Sequence, residues 1–247
     1  MHLLVILPFA LLIGVVLGCL GSGGAILALP ILVYVAGLPV RQAIGVSQFV
    51  VGSAALAGAL LQTTRGNVRW RYAITLTVAG LPATRLGSWL AQQIDPHQLM
   101  LGFAFIITIT GLRIFASAGV KQSSHFSLPA SLAVGAIVGC LTGMLGVGGG
   151  FLLVPALIAF GGLDARHATA TSLPVIAANS LAGAAQQQAQ WTPVLNLALV
   201  FLAATLVGTF LGLRLGRAAS DLKLKQALGV VLFLVGFVVA VLNLWKF

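Results

Sequence analysis

The chain alternates long runs without a charged residue and short polar gaps, and its two longest runs, Leu3 to Val40 and Leu128 to Leu163, share one pattern. Each has a glycine cluster near its middle, Gly21-Ser22-Gly23-Gly24-Ala25 in the first and Gly146-Val147-Gly148-Gly149-Gly150 in the second. Each cluster is followed by a proline, Pro30 and Pro155. As unbroken helices these runs would be roughly 55 Å long at 1.5 Å per residue, against a bilayer hydrocarbon core of about 30 Å. They must tilt strongly, break or fold back. Glycine gives up more backbone freedom in a helix than any other residue, so the break is expected inside the clusters. A helix that restarts after such a break points free N–H groups into the gap, an arrangement that binds anions. The two breaks are expected to approach each other near the membrane midplane.

Shorter apolar runs follow in order. Ala43 to Leu61 is a span carrying Ser47, Gln48 and Ser53, and the polar loop Thr63 to Arg71 ends at the interfacial aromatics Trp70 and Tyr72. Tyr72 to Ala91 contains Pro82 and Arg85, and Leu99 to Ala116 is a fourth span. Lys121 to Ser127 is the most polar stretch without a span. The second half runs through Ala168 to Ala185, Val194 to Leu215 and Ala227 to Leu244. The expected fold is therefore an all-α integral membrane protein of about eight transmembrane helices. It divides into a first repeat at 1–116, a linker at 117–128 and a second repeat at 129–247, each repeat opening with a broken run.

The repeat can be tested by sliding the sequence 125 places. Over Gly14 to Ala59 this gives 19 identities in 46 positions without a gap, among them Gly21, Gly23, Gly24, Pro30, Arg41 and Ser47. The same glycines, proline and arginine in register point to a duplication, with the working site where the halves meet. Four spans per half would make the repeats parallel; if each broken run crosses twice, or only half re-enters, the count becomes odd and the repeats inverted. On an eight-span count, the basic loops at 65–71 and 217–225 fall on opposite sides, so charge does not orient the chain.

Composition narrows the chemistry. Residues are 60% hydrophobic and 6% charged, far below the roughly one quarter usual in soluble domains. Asp95, Asp164 and Asp221 are the only acidic residues, and all three lie in polar gaps, which weakens any reading that needs a carboxylate in the membrane. The net charge of +10 is scattered over short loops with no domain to present it, so anionic lipid headgroups are the expected partner and nucleic acid is not. Cys19 and Cys140 have no second Cys or His at ligand spacing and are expected to be small core residues. No metal, cofactor or enzymatic nucleophile with its base is expected. The first apolar stretch lacks a basic leader and a small-residue cleavage site, so it is expected to be a span.

The candidate substrate-binding residues begin with the breaks themselves: Gly21, Ser22, Gly23, Gly24, Gly146, Gly148, Gly149 and Gly150. The alternative role for these glycines is close helix packing, as in Gly14-x3-Gly18 and Gly139-x3-Gly143. Ser47, Gln48, Thr171, Ser172 and Asn179 place hydroxyls and amides inside the spans that follow; such hydroxyls can instead bond a carbonyl one turn back. Arg41 and Arg166 stand at equivalent positions before those spans, either snorkelling to the interface or drawing in an anion. Arg85 lies in mid-span with no acidic residue in reach, so it is expected to bind an anion, pair with carbonyls or sit nearer the interface than drawn.

On the two glycine breaks with their prolines, the Arg41 and Arg166 loops, Ala168-Thr-Ala-Thr-Ser172 and Leu181-Ala-Gly183, the chain resembles the sulfite exporter TauE/SafE family of membrane transporters over nearly its whole length. It departs from that pattern at Gly45-Val46-Ser47-Gln48, where the second half has the more family-like Thr-Ser, and at Arg85, where a small residue is expected. The resemblance implies a multi-pass transporter in the cytoplasmic (cell inner) membrane that exports small, often sulfur-containing anions such as sulfite or sulfonates. A passive anion channel of the same architecture is the alternative. Substrate identity, coupling ion and oligomeric state do not follow from it.

Overall fold

In a computed structural model, the structure describes residues 2–21, 23–116, 128–146, 150–159 and 161–218, with 226, 229–230, 233–239 and 241 from the last run. These residues form helices and short turns, with no strand among them. The elements are α1 (His2–Leu20), α2 (Gly23–Pro30), α3 (Val40–Thr63), α4 (Trp70–Gln93), α5 (Pro96–Ala116), α6 (Leu128–Leu145), α7 (Gly150–Ala159), α8 (Ala165–Gln186), the short α9 (Gln188–Trp191) and α10 (Leu195–Ala218). The stretches Val40–Thr63, Leu128–Leu145 and Gln188–Gly216 are long and apolar enough to cross a membrane, and Ile6–Leu20, Gly24–Val35 and Pro96–Thr110 are shorter apolar helices. The protein is thus an all-helical integral membrane protein. α4 is as long as α3 but more polar, with Arg71, Thr84, Arg85 and Ser88 along it.

Local backbone explains where the elements stop. α1 ends at Leu20 because Gly21 turns into the left-handed region at φ 70°, and α6 ends at Leu145 because Gly146 does the same at φ 67°. α2 runs into one π-helical turn, Ile31–Val35, in which the Ala36 N–H reaches back five residues to the Ile31 carbonyl. Leu38 then donates to the Leu32 carbonyl across Gly37 at φ 69°, and Leu163 donates to the Leu157 carbonyl across Gly162 at φ 63°. Each is a closure across a left-handed glycine, one residue wider than a Schellman motif, and it satisfies carbonyls that a helix end would otherwise leave bare. Apart from the π-helical turn, these features recur 125 residues apart, as do the starts of α3 and α8 at Val40 and Ala165, and both ends of α4 and α10.

Packing crosses between the first and second parts of the chain. α1 lies against α10, and α4 against α6. A β-carbon added at Gly14 or Gly18 would strike the Thr205 or Thr209 carbonyl; one added at Gly139 or Gly143 would strike that of Gly80 or Thr84. Gly208 and Gly212 face the Leu11 and Val15 carbonyls in the same way. Backbones approach this closely only where side chains are absent, which gives dispersion and Cα–H···O contacts in a setting with no hydrophobic drive between helices. In both pairs residue numbers rise together, so the partners are parallel. α3 and α8 form the third large contact, and there numbers run oppositely: Gln48 meets Gly183, Gly52 meets Leu181 and Gly58 meets Leu173. α3 and α8 are antiparallel, and they form the middle of the molecule.

Candidate functional site

Each glycine break is a sharp reversal. After Gly21 the chain turns back so closely on α1 that a β-carbon at Gly24 would meet the Ile13 carbonyl and the Leu17 backbone. Ser22, Gly148 and Gly149 lie outside the described residues, while Gly23 and Gly150 are the first residues of α2 and α7. Gly21 docks on α8, where an added β-carbon would stand 2.7 Å from Thr169 Cγ2 and 3.0 Å from Ser172 Oγ. Gly146 docks on α3, 2.7 Å from Ile44 Cα by the same measure. Thr169 and Ile44 each sit near the N-terminus of their helix. Because α3 and α8 are antiparallel, the two docking points are about 18 residues apart along the pair, roughly 27 Å. The breaks therefore do not meet at the midplane, where the sequence led us to expect them; α2 and α7 touch each other, but their glycine ends face opposite sides.

The two ends differ in what fills them. At the Gly146 end, Gln48 Nε2 donates to the Thr142 carbonyl at 2.8 Å, in the last turn of α6. Gln187 Nε2 donates to Gln48 Oε1 at 3.4 Å and to the Gly143 carbonyl at 3.5 Å, and Ser88 Oγ reaches the same carbonyl at 3.4 Å. These amides and the hydroxyl add partners to carbonyls in the last turn of α6, where that of Thr142 also accepts the Gly146 N–H at 3.0 Å. Trp191 closes over them, stacked on Phe49 with ring centroids 4.5 Å apart, packed against Gly45, and donating its indole N–H to the Ala184 carbonyl at 2.9 Å. At the Gly21 end there is instead a cleft of about 150 Å³ lined by Gly18, Cys19, Gln62, Asn67, Arg166 and Thr169, with Leu213 and Gly216 behind.

Between the ends, Ser47, Gln48, Thr171, Ser172 and Asn179 are fully buried. Ser172 Oγ donates to the Thr169 carbonyl at 2.8 Å, and Thr171 Oγ1 accepts the Arg69 backbone N–H at 3.0 Å, so both secure turns near the first break. Ser47 Oγ, and both Oδ1 and Nδ2 of Asn179, have no hydrogen-bond partner. Ser180 Oγ, which sequence reasoning missed, joins them. The only signal for it was a hydroxyl next to Asn179 in an uncharged run. The threonines show what is unusual here: Thr84, Thr142, Thr205 and Thr209 all donate to the carbonyl four residues back, and Ser47 and Ser180 do not. Asn179 lies against Gly80, close enough that a β-carbon there would stand 2.6 Å from its amide nitrogen. Gly80 is near the centre of α4, so Asn179 sits at mid-depth between α4 and α8, while Ser47, one turn from Ile44, lies nearer the Gly146 end. An unmet buried polar group costs about 1–3 kcal/mol. The arrangement offers neutral donors and acceptors to a desolvated ligand.

The arginines stand apart from that group. Arg41 is exposed and its guanidinium donates to the Gln92 carbonyl at 3.2 Å, where a cation also meets the negative end of the α4 dipole. Arg166 is exposed on the rim of the cleft. Arg85 is exposed on the outer face of α4 among exposed Leu81, Leu86 and Trp89, and the structure does not bring it to the other candidates. Its guanidinium has about two turns of helix to the Gln93 end, within reach of an interface for a snorkelling side chain. Among the described residues, no group of three His, Cys, Asp or Glu side chains could hold a metal ion. Cys19 and Cys140 are free and half-buried; the Cys19 thiol donates to the Gly212 carbonyl at 3.2 Å.

Residues 6–239 match the family described as "Sulfite exporter TauE/SafE". A "Probable membrane transporter protein" of Xylella fastidiosa (strain 9a5c) is 32% identical over 95% of this chain and 92% of its own length. Similar proteins of the same printed description occur in Bacillus subtilis (strain 168), 27% identical over 95% of this chain and 97% of the relative, and in Methanocaldococcus jannaschii, 27% identical over 73% and 72%. No solved structure matches the chain.

Proposed function

Because the chain belongs to the sulfite exporter TauE/SafE family, a family of membrane transporters, we propose that it exports a small, sulfur-bearing anion such as sulfite or a sulfonate across the cytoplasmic membrane. The observation that carries this reading is the fully buried, unpartnered polar atoms of Ser47 on α3 and of Asn179 and Ser180 on α8, with the Asn179 amide packed at mid-depth against Gly80 of α4. A small oxyanion reaching Asn179 would receive hydrogen bonds from its amide, with the hydroxyls of Ser47 and Ser180 as further donors on the same helix pair. The glycine breaks act as hinges at the two ends of this path. Transport is the chemistry assigned, with no catalysed reaction.

The architecture we propose is a pair of inverted repeats, 1–116 and 129–247, joined by 117–128. Support comes from the recurrence of helix ends and left-handed glycines 125 residues apart, and from the antiparallel α3 and α8. With each broken run folding back, every half makes an odd number of crossings, which replaces the eight-span count with ten. The test is flux in proteoliposomes. Sulfite and short sulfonates should exchange across the membrane, trans substrate should accelerate uptake, and Asn179→Ala should reduce flux at least tenfold with protein level unchanged. Flux without trans acceleration would replace the carrier by the passive channel, and no flux of any such anion would overturn the substrate class.

A further inference from the structure

The cleft and the sealed end occupy the same positions under the 125-residue offset. Gly18 corresponds to Gly143, Cys19 to Met144, Gln62 to Gln187, Arg166 to Arg41, Thr169 to Ile44 and Leu213 to Ser88. Two differences account for the filling of one end and the opening of the other. Gln48 reaches into its end and bonds the Thr142 carbonyl and Gln187, whereas the corresponding residue of the other end, Leu173, packs in the core. Gln62 therefore has no such amide to engage and bonds Asn67 at 3.0 Å on the cleft wall. Trp191 covers the sealed end, and its counterpart is Gly66, which at φ 69° has nothing within 4 Å of an added β-carbon.

Charge orients the two ends. α3 ends, α8 begins and α10 ends on the cleft side, so Arg65, Arg69, Arg71, Arg166 and Arg214 gather there, while Arg41, and Arg85 through its reach to the Gln93 end of α4, stand at the other. Lys and Arg are retained on the cytoplasmic side of short loops. Folding back the broken runs puts the 65–71 loop and the end of α10 on one side, so the positive-inside rule now has one answer.

We propose that this structure is the cytoplasm-open state: a small oxyanion enters at the cleft lined by Arg166, Thr169, Gln62 and Asn67, and the Gln48 side chain, capped by Trp191, shuts the equivalent opening on the outer side. The inference rests on the transporter reading for its ligand but not for its geometry. A cleft of about 150 Å³ has room for several waters, on the order of five, and so for a small hydrated anion at its mouth. Gln48 is neutral, so it can be displaced without leaving a buried charge, and its bonds to Thr142 and Gln187 are of a kind a solvated state could replace. For an exporter this is the loading state.

The test uses native Cys19 as a reporter at the open end and Met144→Cys as its counterpart at the sealed end, each in a background with the other cysteines changed to Ala. In inside-out vesicles a membrane-impermeant maleimide should modify Cys19, and in right-side-out vesicles it should not. Met144→Cys should resist labelling from both sides, and adding Gln48→Ala should raise its labelling from the outer side at least tenfold. Equal labelling of both reporters in the starting protein would overturn the proposal, as would a Met144→Cys reporter that stays protected in Gln48→Ala. Gln48→Glu, expected to fold, gives a second reading: charge on the plug should open the same reporter. The labelling pattern needs no substrate, so it can hold even where the flux assay rejects sulfur oxyanions.

Discussion

A glycine in this protein is defined by what its absent β-carbon would strike. Gly24 faces the backbone of α1, whereas Gly102 in α5 faces open space. Gly24→Val should therefore lower the melting temperature in detergent or abolish folding, while Gly102→Ala should be neutral or stabilise by about 0.5–1 kcal/mol through helix propensity alone. Polar residues divide in a similar way. Removing the unpartnered Asn179 amide takes away a desolvation cost, so Asn179→Ala should leave thermal stability equal or higher while flux falls; parallel loss of both would make Asn179 a packing residue. Arg85→Gln should leave the substrate concentration for half-maximal flux unchanged, since Arg85 projects outward from α4. The sequence announced that Arg85 was costly but not where it pointed. A side chain's direction depends on helix phase, and α4 is apolar on both its buried and its exposed face: Leu76 is buried while Val78 and Leu81 are exposed.

At the scale of helices, the decisive surfaces are carbonyl rows met by glycines, Gly14 and Gly18 on α10 and Gly139 and Gly143 on α4. Gly139→Ile should lose most folded protein, measured as monodisperse yield, whereas Ile137→Leu, on an exposed position of the same helix, should change nothing. The existence of the breaks was legible because glycine density is a backbone property written directly in the sequence. That Gly14 and Gly18 pack was legible too, but not their partner, because the small-residue pattern specifies a flat face without saying which of many apolar helices will cover it. Nor could the sequence tell that Gln48 bonds the end of α6. Its amide is 94 residues from the Thr142 carbonyl, and only the docking of Gly146 on α3 brings them together.

At the scale of the whole molecule, opposite orientation of equivalent elements is the property with most reach. Thr64→Cys and Ala189→Cys, at equivalent exposed positions just after α3 and α8, should react with an impermeant thiol reagent from opposite sides of the membrane. Labelling from one side would restore parallel halves. The 125-residue offset was legible in the sequence, whereas the orientation of the repeats we propose from it was not, because that depends on whether a broken run turns back or continues, and composition is the same either way.

The crossed pairing of α1 with α10 and of α6 with α4 also governs how the protein can be made. Thr205, which receives Gly14, is synthesised 191 residues later. At a translation rate of about 5–20 residues per second, that leaves α1 without its partner for roughly 10–40 s. During that interval its glycine face is an adhesive surface in a crowded bilayer, so biogenesis should depend on an insertase or chaperone that shelters it. Two genes, one for each half, should yield functional protein only when both are translated together, each fragment serving as the other's scaffold.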